Sequence, residues 1–180
     1  KSLYAALALC LVYACATCVN DLVDWEIDKI NLKGHKDRPL ITGEGTRKDL
    51  IILAIASAVA ALAFAALIGV LAIIAIMMGL ILNTIYSVRP LQISRRAELT
   101  PPYLALCYVL IPYVTGYAIA AGFGSGQFNW LYFSSFYFLF LARISLKDFR
   151  DRKGDALAKK PTLILKYGKA TVCLISATSL

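Results

Sequence analysis

Two stretches without a single charged side chain decide what this chain can fold into. Leu50 to Val88 carries no charge over 39 residues, and Leu99 to Ala142 carries none over 44. Wound as helix, even the shorter run extends roughly 58 Å, enough to cross a hydrocarbon core of about 30 Å twice. Ser2 to Asn20 is a third uncharged run. With 59% hydrophobic residues and a mean hydropathy of +0.69, the chain exceeds the apolar share of a soluble domain. The residue alternation of a barrel strand is missing, which leaves the helix as the backbone that satisfies its own polar groups in lipid. The expected fold class is all-α, a polytopic membrane helical bundle, with residues 1–180 forming a single domain.

Five complete crossings and the start of a sixth are expected. The first runs from Ser2 to Asn20, its helix continuing to near Asp28. The second covers Lys48 to Leu67 and the third Val70 to Val88, with Gly69 at the turn between them. Pro90 disfavours helix at Arg89. The fourth opens at Thr100-Pro101-Pro102 and holds Pro112 and Gly116. Gly122 to Gln127 forms the next turn, Phe128 to Leu146 the fifth crossing, and the sixth begins near Ala170. The chain has no initiator Met, starts directly at a helix and ends in an apolar run too short to cross. One or more further helices are therefore expected at each end.

The net charge of +8 does not point to nucleic acid, because its distribution is topological. Apart from Lys1, every Lys and Arg falls within Lys29–Lys48, Arg89–Arg96 or Arg143–Lys169. Paired crossings put all three segments on one side, which the positive-inside rule makes cytoplasmic. Cys10, Cys15, Cys18, Cys107 and Cys173 lie in apolar runs and read as small packing residues rather than a disulfide or zinc framework. His35, with no second His or Cys nearby, reads as a surface residue.

At the cytoplasmic ends of two descending crossings the same acidic pattern occurs. The first copy is Asn20-Asp21 followed by Asp24 and Asp28; the second is Asp148, Asp151 and Asp155. In a helix, offsets of three and seven share a face, so each copy presents a stripe of carboxylates. One such stripe alone reads as a solvated helix end paired with Lys and Arg. Two with the same spacing, at equivalent places in the topology, read as halves of one site for divalent metal and a phosphorylated ligand. Mg²⁺ takes oxygen ligands and binds through one or two carboxylates plus substrate phosphates. Six carboxylates and a diphosphate leave a negative excess even with Mg²⁺ bound. Lys29, Lys33, Arg38, Arg89, Lys147, Arg150, Arg152 and Lys153 are candidates to offset it.

These residues resemble the UbiA superfamily of intramembrane prenyltransferases. Asn20 to Asp28 with Arg38-Pro39-Leu40 and Gly43 is similar to its first signature, and Asp148 to Asp155 to its second. Lys160-Pro161-Thr162-Leu163 and Tyr167-Gly168-Lys169-Ala170 look like the segment after it, and Tyr86-Ser87 with Pro90-Leu91 like its middle motif. The resemblance implies nine transmembrane helices around a cavity, of which this chain covers the second to sixth and the start of the seventh. It implies Mg²⁺ and a prenyl diphosphate, for example geranyl or geranylgeranyl diphosphate, between the motifs, with the active site toward the cytoplasm and the tail in membrane lipid. The metal ligands it implies are Asn20, Asp21, Asp24, Asp28, Asp148, Asp151 and Asp155. Asp24, Asp28, Asp148, Asp151 and Tyr86 are the implied catalytic set. Arg38, with Asn20, Lys29, Arg89 and Lys147, is implied for the diphosphate. Many members carry Lys four residues after the middle-motif Tyr, where this chain has Pro90; Arg89, Arg95 or Arg96 are the substitutes.

The activity implied is transfer of a prenyl group, through an allylic carbocation, to a lipophilic or aromatic acceptor such as a quinone, haem or chlorophyll precursor. A glycerol-phosphate acceptor stays open, since the acidic motifs address the diphosphate alone. Tyr86 and the aromatics of the fifth crossing, with the face of Tyr132, Phe136 and Phe140 preferred, are candidates to stabilise the cation. A CDP-alcohol phosphotransferase needs an Asp-Gly and Ala-Arg arrangement that both motifs lack. A divalent-cation transporter needs acidic groups at mid-membrane, where the crossings carry none.

Overall fold

The structure, a computed structural model, describes residues 1–31, 38–121, 127–150 and 152–180. These residues form α-helices and short 3₁₀ turns, with no strand among them. The helices are α1 (Ser2–Asn31), α2 (Pro39–Thr42), α3 (Arg47–Ala66), α4 (Val70–Ser87), α5 (Thr100–Ala121), α6 (Trp130–Ser145), α7 (Arg152–Leu157) and α8 (Leu163–Thr178). Two 3₁₀ turns, Ile93–Arg95 and Lys147–Phe149, join them. Lys33, His35 and Asp151 lie outside the described residues.

α1, α3, α4 and α5 are long and apolar enough to cross a membrane. The bounds follow local chemistry. Thr46 and Asp49 close a capping box, each side chain accepting the other's backbone N–H, at 2.8 and 3.3 Å. Gly69, at φ 148°, makes the tight turn into α4. α6 is shorter than the crossing expected from Phe128 to Leu146: its 16 residues extend about 24 Å. Asn129 delays its start, its side chain accepting from the N–H groups of Leu131 and Tyr132. Phe128 stays outside the helix and packs on Tyr113, 4.9 Å between ring centroids. α8 begins at Leu163, earlier than expected, but Gly168 at φ 80° breaks it, so its uninterrupted part starts at Lys169, next to the expected Ala170.

The second acidic copy departs most from expectation. It is not one helical stripe: Asp148 sits in the 3₁₀ turn and Asp155 in α7. α6 tightens as it ends, the Leu146 N–H donating back to the Arg143 and Ile144 carbonyls. Phe149 then packs against the buried Ala97, Leu163, Ile164 and Val172, which turns the chain away from the α6 axis.

α1 is the axis of the bundle; α2, α3, α4, α5 and α7 all pack on it, while α6 bridges α5 and α8. Its inner face meets α3 and α4 through Ala5, Ala8, Val12, Ala61, Ala65, Ala72 and Ile76. Small residues at such contacts let helices approach closely, which is how membrane helices gain packing when lipid removes the hydrophobic drive. On the side facing the basic loops, Glu98 clasps α8: the Lys166 ammonium and, at 2.7 Å, the Tyr167 hydroxyl donate to its carboxylate. These bonds, Lys166 foremost, hold the Glu98 carboxyl down at about 2.

Gly79 marks a close approach of α4 to α1 and α5, since a Cβ there would lie 3.1 Å from Ile111 Cγ2 and 3.4 Å from Val12 Cγ1. Gly79→Leu is therefore expected to destabilise the bundle by about 1–3 kcal/mol, read as a lower thermal midpoint in detergent. Gly116→Ala, with nothing within 4 Å of its Cβ, is expected to leave the midpoint unchanged or raise it.

Candidate active site

One face of α1 carries the first wall of a cleft of about 240 Å³ at the polar end of the bundle. Its lining repeats at helical spacing: Tyr13, Thr17, Asn20, Asp21, Asp24, Asp28. α4 adds Asn83, Tyr86 and Ser87, and α5 adds Leu104 and Tyr108, again one turn apart. The far wall comes from Ile144, Lys147, Asp148, Arg150, Asp155 and Lys160, and Arg38 enters from the loop. The two acidic motifs therefore face each other in one cleft.

Arg38 is placed by its neighbours. Pro39, preset for a helical first turn, opens α2, and the Arg38 carbonyl accepts from the Ile41 and Thr42 N–H groups at 2.8 and 3.0 Å. Leu40 packs against Cys18, Leu50 and Ala54 between α1 and α3, and its carbonyl accepts from Trp25 Nε1 at 3.4 Å. With the tripeptide pinned this way, the Arg38 guanidinium donates to the buried Asp21 carboxylate.

Asp24 is only 4% exposed. Its Oδ2 accepts from Lys160 Nζ at 2.8 Å. Lys160 is held in turn by the end of α7. Lys159 adopts φ 51°, its N–H reaches the Ala156 carbonyl, and the Lys160 N–H reaches the Asp155 carbonyl at 2.8 Å. This is the hydrogen-bond pattern of a Schellman motif, with Pro161 just beyond it. Lys147 donates to the Tyr86 hydroxyl at 3.1 Å and lies 3.4 Å from Asp148. Tyr86 stacks at 6.3 Å on Tyr103, whose hydroxyl donates to the Leu82 carbonyl at 2.8 Å. Burial disfavours charge on both lysines, yet each is pushed up: Lys147 by the Tyr86 oxygen and Asp148, Lys160 by Asp24.

The cleft thus holds Asn20, Asp21, Asp24, Asp28, Arg38, Tyr86, Lys147, Asp148, Arg150 and Asp155 of the residues singled out from sequence. It does not bring in Lys29 or Arg89. Lys29 bonds Glu26 at 3.4 Å and lies over the Trp25 ring, and Arg89 is exposed in the loop after α4. Tyr132 and Phe136 are 63% and 50% exposed and line none of it, whereas Phe140 stacks on the cleft residue Tyr108 at 6.0 Å. Lys160, Tyr13, Thr17, Asn83 and Tyr108 were not anticipated. Extending the helical spacing of Asn20–Asp28 back by two turns reaches Thr17 and Tyr13; no local spacing reaches Lys160.

The donor set fits Mg²⁺. Every acidic or amide side chain here offers oxygen. Asp24 Oδ1 is buried without a hydrogen-bond partner, an arrangement that is costly for a carboxylate unless a cation meets it. Among the described residues no three His, Cys, Asp or Glu side chains gather into a ready cage. The fit is therefore to a metal that draws most of its ligands from a bound phosphate group and water.

A cleft lined by opposed carboxylates and braced by basic side chains, at the end of an apolar helical bundle, defines a membrane protein with a strongly charged cleft at one end. The chain belongs to the UbiA prenyltransferase family, which matches residues 1–180. It is 28% identical over 170 residues to the bacteriochlorophyll synthase 33 kDa chain of Cereibacter sphaeroides, covering 93% of this chain and 55% of that protein. The chain thus spans about half the length of this relative. The fold matches that of a UbiA homolog from Archaeoglobus fulgidus bound to DMAPP and Mg²⁺, with a TM-score of 0.74 and 21% identity, over 98% of this chain and 62% of that one.

Lys147 supplies a test of the site's charge. A lysine whose folded pKa lies above its ordinary value of about 10.4 keeps less free amine at a given pH. Acetylation of Lys147 at pH 9 is expected to lag well behind that of the exposed Lys153, measured by peptide mass spectrometry. Equal rates would show that the cleft does not hold the ammonium.

Proposed function

We propose that the protein transfers a prenyl group from a polyprenyl diphosphate to a lipophilic acceptor, most readily an aromatic one. The observation that carries this reading is the single cleft in which both acidic motifs meet Arg38, Lys147 and Lys160. Carboxylates opposite one another need a cationic ligand complex between them, and a diphosphate with Mg²⁺ is the complex these groups suit. Asn20, Asp21, Asp24, Asp28, Asp148, Asp151 and Asp155 are the proposed metal-facing groups. When bound, Mg²⁺ neutralises charge that develops on the leaving diphosphate.

The chain's own residues do the rest. Arg38 and Lys147 offer donors to phosphate oxygens, Arg38 in a fork suited to two at once. Leu104 and Ile144 give the cleft apolar surface, and the prenyl tail gains by lying against the membrane interior rather than in water. As the allylic C–O bond breaks, its electron pair leaves with the diphosphate. The carbocation is attacked by the acceptor, whose ring then releases a proton. Tyr86 and Tyr108, both lining the cleft, are the aromatic residues proposed to stabilise that cation. The homolog bound to DMAPP and Mg²⁺ supports the donor and the metal; the bacteriochlorophyll synthase relative keeps a chlorophyll-type precursor among the candidate acceptors. The protein is proposed to sit in the cell membrane with this cleft toward the cytoplasm, where its basic loops lie.

Asp24→Asn and Asp151→Asn are each expected to cut prenyl transfer by at least about 100-fold with helical content near wild type; Asp24→Asn, which strips the buried Lys160 of its partner, is expected to lower the thermal midpoint as well. Unchanged turnover in both would sink the shared-metal site. The acceptor is resolved by incubating the full-length protein with Mg²⁺, geranylgeranyl diphosphate and a panel of phenolic, tetrapyrrole and glycerol-phosphate acceptors, with products identified by mass. A prenylated glycerol phosphate as sole product would replace the aromatic assignment.

A further inference from the structure

We infer that Lys160 is a positioning residue that fixes Asp24 for metal and diphosphate by tying the two acidic motifs together. This rests on the reading of the cleft as a Mg²⁺–diphosphate site. Lys160 joins residues 136 positions apart in the chain: its ammonium holds Asp24 of α1, while its backbone N–H holds the Asp155 carbonyl at the end of α7. Both contacts measure 2.8 Å, and the paired side chains are 13% and 5% exposed. Little water is available to either, so the pair has few alternative arrangements. Engaging Oδ2 selects the rotation of the carboxylate and makes Oδ1, buried and unpartnered, the oxygen left for a cation.

The backbone makes this placement specific. A lysine on a free loop would sample many positions, but Lys160 follows a residue at φ 51° and precedes Pro161, so its Cα is set by the end of α7. Arg38 performs the equivalent task for Asp21 from the other loop, yet both of its contacts lie within the first motif and α2. Lys160 instead touches both motifs, Asp24 through its ammonium and Asp155 through its backbone N–H.

The test titrates inorganic diphosphate into the full-length protein in detergent at increasing Mg²⁺, read by calorimetry, alongside the thermal midpoint and the split between KM for prenyl diphosphate and kcat. Lys160→Met is expected to raise the Mg²⁺ concentration needed for half-saturation by about 10- to 100-fold and to raise KM more than it lowers kcat. Lys160→Arg, which keeps the charge, is expected to recover most of the Mg²⁺ dependence. If Lys160→Met does not fold, Lys160→Gln takes its place with the same expected shift. Unaltered Mg²⁺ dependence in the folded uncharged variant, with binding abolished by Asp24→Asn, overturns the positioning role and leaves the diphosphate site standing. Unaltered binding in Asp24→Asn as well overturns both.

Discussion

Asp24 is a carboxylate withdrawn from water at the polar end of a helix whose preceding turns face an apolar bundle. Buried this way its charge needs a partner, and the ammonium of Lys160 supplies one at 2.8 Å. Much of the local architecture serves that contact. α7 must stop where it does, Lys159 must accept a left-handed backbone, and Pro161 must direct the chain away before Thr162 opens α8. The pair is weak evidence for stability, since desolvating two charges offsets most of their attraction. Its value lies in orientation.

α1 connects this electrostatics to the fold. One face of the helix, through Ala5, Ala8 and Val12, is small and apolar and settles against α3 and α4. A neighbouring face, from Tyr13 to Asp28, lines the cleft. The close packing of the first face fixes the rotation of the second, so the positions of the carboxylates depend on alanine contacts far up the helix. Gly79 belongs to the same arrangement, since α4 approaches α1 and α5 closely enough there to bring Tyr86 to Lys147 one to two turns below.

Much of this was legible in the residues. Uncharged length predicted α1, α3, α4 and α5, and the spacing of Asn20, Asp21, Asp24 and Asp28 predicted one face of a continuing helix because α1 does continue, to Asn31. The same spacing misled at Asp148 and Asp155. Offsets of three and seven describe a stripe only on an unbroken helix, and here Phe149 finds a core pocket beside α8 and the chain bends to reach it. Lys160 was noticed only as part of the segment after the second motif, and its role went unread for a different reason. Helical periodicity relates residues a few positions apart, whereas the partner of Asp24 arrives from the far end of the chain, placed by a turn whose key residue is a lysine rather than the usual glycine.

The contrast between the two motifs bears on how such a chain tolerates changes of length. Each residue added to a continuous helix rotates all that follows by about 100°, so an insertion between Asn20 and Asp28 would carry the remaining carboxylates out of the cleft. The second motif hangs on two short pieces, a 3₁₀ turn and α7, each anchored by its own contacts: Phe149 in its apolar pocket, and the end of α7 through Lys160. An insertion after the first anchor need not move Asp148, which precedes Phe149 in the chain. A change of length in the first wall thus misplaces every carboxylate beyond it, while one in the second wall can spare Asp148.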